Sequence, residues 1–321
     1  MIVVNWNGAE CLPRCIESVL RQSYSPMEVI VVDNASTDGS PQMVSKRYPK
    51  VRLIESSVNL GFSAACNLGA RAASGQILVL FNNDAVMSPG CMEALVAPLQ
   101  SVERVGVTGG MVTYRDGTLV WNKGGRFDCF TGTNWHIDQG KYLDACVQAD
   151  LDYVPGAMLA VRREIFDLVG GLDDALFLYG DDLDLCLTVS RMGLALVIVP
   201  NALAVHLVSF SRTTTSTRRV FYLKTRGQFY VICKQLPAPL ALSALFVQMT
   251  VLMLFESITI GPARSLAADK FRALLWVLGK RRRIAEARQR LRSLGGLRPR
   301  IRLREFAQLA VNRILMRGYY W

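Results

Sequence analysis

The chain has 321 residues, enough for one large domain or a domain with an appendage, and its 51% hydrophobic and 20% charged residues exclude a disordered polymer. Its net charge of +11 divides unevenly: residues 1–211 carry 15 Lys/Arg against 22 Asp/Glu, and residues 212–321 carry 22 against 4. A front of −7 and a tail of +18 point to an anionic partner for the tail. The eight cysteines form no CxxC pair and no Cys/His cluster of zinc-finger spacing, which predicts reduced thiols in a cytosolic protein; no basic, apolar leader is present, so secretion is not expected.

In chain order, the front alternates strand and helix. MIVVNWNG predicts a strand running into a turn, and CLPRCIESVLRQS places Ile16, Val19 and Leu20 at helical spacing. MEVIVVDNASTDGS predicts a second buried strand ending in a loop rich in Asp, Asn and Ser. A short helix (SPQMVSKRYP), a strand (VRLIESS) and a small-residue helix (GFSAACNLGARAAS) follow. GQILVLFNND predicts the next strand, and SPGCMEALVAPLQ predicts a helix with Pro89 in its first turn behind a Ser88 cap. This alternation predicts an α/β fold with a parallel sheet covered on both faces. Ligands on such sheets sit beyond the carboxyl ends of the strands, where Asn5, Asp33 and Asp84 fall. From about residue 105, VGVTGGMVTYRDGTLV and WNKGGRFDCF predict hairpins. Next come a strand at 154–161, helices at 162–169 and 181–192, and a strand at 194–199.

Several carboxylates stand where a structural role alone is costly or excessive. A buried strand stops at Asn82-Asn83-Asp84, and a charge there is expensive unless something pairs with it. Ser88 is better placed than Asp84 to cap the next helix, whereas a Mg²⁺ or Mn²⁺ ion touching a diphosphate would neutralise the carboxylate. Asp33 reads equally as a turn residue and as a ligand group able to accept a hydrogen bond from a base N–H. Asp181, Asp182 and Asp184 crowd one helix start; a dipole contribution of about 0.3–1 kcal/mol each does not require three of them. Asp182 shares a helix face with Leu185 and Val189, which turns it inward as a candidate general base. His206, after an apolar run, reads by itself as structural. There is no GxGxxG after the first strand and no GxxxxGK[ST], so neither a dinucleotide fold nor a P-loop NTPase is supported.

VVNWNG, VIVVDNASTDGS, NLGFSAACNLGARAASGQILVLFNND and the stretch from VPGAMLAV to AVHLVSFS, in this order over residues 1–211, resemble the family 2 glycosyltransferases of GT-A fold, particularly their rhamnosyltransferase-like branch. The resemblance implies an inverting transferase that moves a sugar from a nucleoside diphosphate donor to an acceptor hydroxyl. It implies that Asp33 holds the base with Asn5, Asn7 and Asn34 around it, and that Asn59, Gly61 and Asn67 pass under the donor. Asn82-Asn83-Asp84 stands where the family has its DxD-like motif, so Asn82 and Asn83 offer amides while Asp84 binds a divalent metal, with His206 as a further metal ligand. Asp181-Asp182 matches an acidic pair whose second member is the base, with Asp181 as orienter or acceptor contact; Gly156 lets the acceptor approach the backbone.

The expected organisation is a GT-A catalytic domain over 1–211 and a helical, basic region over 212–321. Residues 240–255 would span about 24 Å as a helix, short of a hydrocarbon core of about 30 Å, and cationic residues flank both sides. The expectation is therefore a C-terminal extension lying on or dipping into the cytoplasmic face of the membrane, peripheral or monotopic, where a lipid-linked or polysaccharide acceptor would be met. The alternatives are a nucleic-acid-binding tail, weakened by its lack of interleaved aromatics, and a sugar-nucleotide-binding protein without turnover.

Overall fold

Strands that are apolar on both sides have no face to offer water, so they lie side by side inside the molecule. The computed structural model describes residues 1–115, 117–143, 150–207, 217–253 and 263–295. Strands β1 (Ile2–Asn5), β2 (Ile30–Asn34), β3 (Arg52–Ser56) and β4 (Ile77–Asn82) run parallel in the order β3-β2-β1-β4. Helices α1 (Leu12–Leu20), α2 (Ser40–Arg47) and α3 (Phe62–Ala72) make the crossovers. Leu12, Ile16 and Val19 of α1 and Val44 of α2 pack with Val3, Val31 and Val79 on one face. Helix α3 covers the other, where a side chain at Gly69 would run into Ile2 and Val32. Leu20, placed by its spacing with the buried residues of α1, is exposed.

The middle of the chain turns this parallel sheet into a mixed one. Strand β10 (Met158–Arg162) lies antiparallel between β4 and β6 (Val105–Thr113), with Met158 opposite Phe81 and Leu159 opposite Gly109. It starts four residues later than the predicted 154–161 strand, so 154–157 runs as a connection past the carboxyl end of β4. Strand β11 (Ala195–His206) is longer than predicted: it pairs parallel with β6, shifts register between Val199 and Leu203, and ends antiparallel to β5 (Ala85–Met87). Strand β7 (Val120–Asn122) folds back on β6, and β8 (Gly125–Phe127) pairs with β9 (Asn134–His136), so the hairpins are present.

Helix α4 (Cys91–Ser101) starts later than the expected Pro89, behind Gly90 in the left-handed region with no side-chain cap; Ser88 instead donates its backbone N–H to Leu203 and accepts from Cys91. Helices α5 (Arg163–Val169) and α6 (Asp181–Arg191) stand as predicted. The seven cysteines among the described residues are free thiols.

Two units divide the chain, Met1–Arg126 with His136–Thr217 and Phe127–Trp135 with Arg218–Trp321. The expected boundary at 211/212 lies outside the described residues. The second unit holds helices α7 (Thr217–Gln235), α8 (Ala238–Met249), α9 (Ala263–Gly279) and α10 (Arg281–Ser293). Its buried residues include Phe229, Tyr230, Ile232, Ala244, Ala273 and Val277. Gln228 and Gln248 donate to the carbonyls of Gly132 and Thr131, tying the 127–135 loop to the helices. Among the described residues, no helix is long and apolar enough to cross a membrane.

Candidate active site

The carboxyl end of β4 solves the problem that its sequence poses. The chain turns at Asn83-Asp84 into the three-residue β5, whose antiparallel pairing sets His206 opposite Ala85. His206 Nε2 thereby reaches 3.2 Å from Asp84 Oδ1 and 3.4 Å from the Asn82 amide nitrogen, and both Asp84 and His206 are buried. The histidine ring is stacked on Trp121 with centroids 4.5 Å apart and planes 4° from parallel. Its Nδ1 is buried without a hydrogen-bond partner. Burial, aided by the charge of Asp84, pushes the Cys11 thiol up to about 12, which marks how near Asp84 lies to the start of α1.

Beside it, β1 and β2 end in a polar knot. Asn5, fully buried, donates to Asp33 Oδ1 at 2.8 Å and Ser40 Oγ at 2.8 Å and accepts from Asn83 Nδ2 at 3.0 Å. Asp33, itself only 2% exposed, also accepts the Ser36 N–H at 2.9 Å. A side chain at Gly8 would strike Asn5 and Asn83, so glycine lets this bond pass. Asn7 accepts from the Thr37 N–H and sits at φ 50°; Ala35 sits at φ 63°, a conformation rare outside glycine. Asn5 thus has no surface of its own to offer, while Trp6, next in line, is exposed.

A second knot adjoins the first through Asn34, which donates to Asn59 Oδ1 and the Gly61 carbonyl and accepts from the Leu60 N–H. Gly61 has φ +81°, and a Cβ there would lie 2.4 Å from the Phe177 carbonyl, so only glycine fits. The Phe62 N–H donates to that carbonyl at 2.6 Å, Ser63 donates to the Leu176 carbonyl, and Asn67 clamps Leu172 and Asp174 with its amide. The Asn67 side chain is therefore spent inside the protein, fixing the loop that leads to the acidic pair. That loop ends with two left-handed residues, Tyr179 at φ 71° and Gly180 at φ 90°.

Asp181 is buried and Asp182 half-buried at the start of α6. Asp182 Oδ2 accepts the Gly156 N–H at 2.9 Å and Oδ1 accepts the Leu183 N–H at 2.8 Å. Burial raises the proton affinity of both carboxyls; the neighbouring Asp182 charge raises Asp181 further, while the two backbone donors offset part of the rise at Asp182. The pair thus holds one proton more readily than two separate carboxylates, with the negative charge best supported on Asp182. A Cβ at Gly156 would meet Asp182 at 3.6 Å and the Phe62 ring at 3.8 Å, ordinary contacts, so packing alone does not demand glycine there.

The antiparallel register of β10 on β4 joins the two sides. The Asn82 N–H donates to the Ala157 carbonyl, and the residue before Ala157 is the one that holds Asp182. Asp84 with His206 and Asp182 with Gly156 therefore occupy the same end of the sheet, adjoined by the polar knots of Asp33 and Asn34. A carboxylate and an imidazole within 3.2 Å suit a divalent cation. Among the described residues no cluster of three His, Cys, Asp or Glu side chains that could hold a metal is found, and Mg²⁺ usually takes one or two protein carboxylates with phosphate oxygens and water in its remaining positions.

Sequence reading alone missed Trp121, Ser36, Ser40 and Phe177. The left-handed Asn7, Ala35 and Tyr179 around this sheet end are a structural sign of the site, since backbone strain gathers at functional positions.

Comparison with known proteins bears on the family and the fold. The family model described as Glycosyl transferase family 2 matches residues 1–170, more than half of the chain. The chain is 29% identical over 232 residues to the N-acetylglucosaminyl-diphospho-decaprenol L-rhamnosyltransferase of Mycobacterium tuberculosis, covering 64% of this chain and 75% of that protein. The solved structure of GalNAc-T7 with UDP, GalNAc and Mn²⁺ is similar at TM-score 0.59 and 16% identity, covering 93% of this chain and 58% of that one. The Pyrobaculum calidifontis mannosyltransferase in complex with GDP-Man and Mn²⁺ is similar at TM-score 0.54 and 20% identity, covering 91% and 84%. The fold is GT-A, and the chain belongs to glycosyl transferase family 2.

Proposed function

We propose that the protein is an inverting glycosyltransferase that moves a sugar, rhamnose from a deoxythymidine diphosphate donor in the first instance, to a hydroxyl of a lipid-linked acceptor at the cytoplasmic face of a membrane. The observation that carries the reading is Asp182, held by the Gly156 N–H at the sheet end where Asp84 meets His206. The relative named for an N-acetylglucosaminyl-diphospho-decaprenol substrate favours the lipid-linked acceptor.

The roles follow from the chemistry of each group. Asp33 accepts an N–H of the base, and the Asn34–Asn59–Gly61 knot holds the chain beneath the donor sugar. Asp182 takes the acceptor's hydroxyl proton as that oxygen bonds to the anomeric carbon, a contribution of about 10²–10⁴-fold. The bond from that carbon to the diphosphate oxygen breaks on the opposite side, its electron pair leaving with the diphosphate. One displacement inverts the configuration, so no side-chain nucleophile is needed. Burial makes Asp182 a stronger base than a surface carboxylate, and burial together with the Asp182 charge raises the proton affinity of Asp181, which favours the negative charge on Asp182. A Mg²⁺ or Mn²⁺ ion on Asp84 and His206 supplies Lewis-acid stabilisation of the leaving diphosphate when bound.

The test is to incubate the purified chain with a panel of nucleoside diphosphate sugars and a short-chain N-acetylglucosaminyl-diphospho-prenol, then determine the new anomeric linkage by NMR. A product inverted relative to its donor supports the reading. No product from any donor, or a retained configuration, refutes it.

A further inference from the structure

Two helices of the second unit bury polar groups beside small apolar ones and turn large apolar side chains outward. Helix α8 carries no charged residue, yet Leu242 and Phe246 are 69% and 66% exposed while its Gln248 is buried and donates to the Thr131 carbonyl. Its outward stripe, Pro239, Leu242, Ser243 and Phe246, offers water no charge. In α9 the charged neighbours Asp269 and Lys270 are each 1% exposed: Asp269 faces Arg218 and Arg272, and Lys270 donates to the Gln248 carbonyl. Phe271, Leu275 and Leu278, on one face at helical spacing, are each more than half exposed. A solvated helix has the opposite arrangement, with its charges outward and its aromatic and aliphatic groups inward.

The apolar stripe of α9 runs straight into a basic cluster. Arg226 and Lys280 lie over the Trp276 ring, 4.4 Å and 5.6 Å from its centroid, and Arg281 and Arg282 follow, exposed. Apolar side chains facing out beside arginines match a bilayer surface: the first enter the boundary of the acyl chains and the second meet anionic headgroups. We propose that the outward faces of α8 and α9, with Arg281 and Arg282, dock this unit onto an anionic lipid leaflet. The proposal deepens the membrane-side reading given above and rests on it for its purpose, but its geometry is independent of the transferase site.

The test is sedimentation of the full chain with phosphatidylglycerol–phosphatidylcholine vesicles and with phosphatidylcholine alone. One variant combines Leu242→Ser, Phe246→Ser, Phe271→Ser and Leu275→Ser; a second combines Arg281→Ala and Arg282→Ala. Matching melting curves establish that each is folded, and transfer to a water-soluble acceptor is followed in parallel. The parent is expected to sediment with the anionic vesicles and much less with neutral ones. The apolar variant should bind at least ~100-fold more weakly, since each buried Leu or Phe is worth about tenfold or more. The arginine variant should lose about fivefold per side chain. Transfer to the soluble acceptor stays unchanged in both. Vesicle binding equal in all three proteins overturns the proposal, as does a parent that ignores vesicles and dimerises through these residues in light scattering. Vesicle binding as expected with no transfer to any acceptor sinks the transferase reading and leaves the docking surface standing.

Discussion

Asp182→Asn keeps the shape of the side chain and removes its ability to take a proton. If Asp182 is the base, kcat falls by about 10²–10⁴-fold, equivalent to roughly 3–5 kcal/mol of barrier. The structure sets a second, smaller effect. Two backbone N–H groups, of Gly156 at 2.9 Å and Leu183 at 2.8 Å, now share a carboxylate, whereas an asparagine has one oxygen. One N–H is left facing an amide NH₂, at about 1–3 kcal/mol, partly offset by no longer holding a charge in a shielded place. The melting temperature therefore moves little while turnover collapses. The assay is release of nucleoside diphosphate against acceptor concentration over a pH series. Because burial raises Asp182, the parent's kcat/KM should climb with pH above the ordinary carboxylate range, and the residual activity of the variant should be flat there. A variant with more than about a tenth of the parent kcat, or one that keeps the parent's rising limb, would refute Asp182 as the base.

Gly61→Ala forces φ +81° on a residue with a Cβ and drives that atom to 2.4 Å from the Phe177 carbonyl. Left-handed backbone alone costs about 1–2 kcal/mol, so the urea midpoint should fall and kcat with it, because the displaced loop carries the acidic pair; an unchanged midpoint would contradict the contact. Asp181→Asn should stabilise the protein at neutral pH. The folded carboxyl holds its proton above the unfolded range of about 4, so the folded state loses stability as pH rises through and beyond that range; the variant escapes the loss. The melting-temperature gain should open above about pH 4 and vanish below it, and a gain that grows on acidification would reverse the sign of the account. Trp121→Ala removes the ring stacked on His206, a contact worth about 0.5–1.5 kcal/mol, and should weaken Mn²⁺ binding by roughly two- to tenfold in calorimetry; no change would free His206 from that support.

Legibility in the sequence followed how local each signal is. Strands β1, β2 and β4 could be read because burial on both faces leaves continuous apolar runs, and Asp33, Asp84 and Asp182 stood out as charges at the ends of buried elements. The direction of β10 could not be read, since the four-residue apolar run Met158–Val161 looks the same parallel or antiparallel. Yet that direction brings Gly156, and with it Asp182, to the end of β4. The Trp121–His206 stack joins residues far apart in the chain and leaves no periodic trace. Ser88 fitted the pattern of a helix cap, but Gly90 in the left-handed region made the turn without one. Helix α9 was unreadable for another reason: Asp269 and Lys270 adjoin Phe271 in the chain, and only packing decides which of them faces inward.

The central claim is that Asp84 and His206 grip the donor's diphosphate through a divalent ion while Asp182, at the same sheet end, acts on the acceptor. Calorimetric titration of a nucleoside diphosphate sugar, with and without Mn²⁺, into the parent, Asp84→Asn and Asp182→Asn tests it most directly. The account requires Mn²⁺-dependent donor binding in the parent and in Asp182→Asn, and its loss in Asp84→Asn. Donor binding that is intact in Asp84→Asn, or abolished in Asp182→Asn, would contradict it.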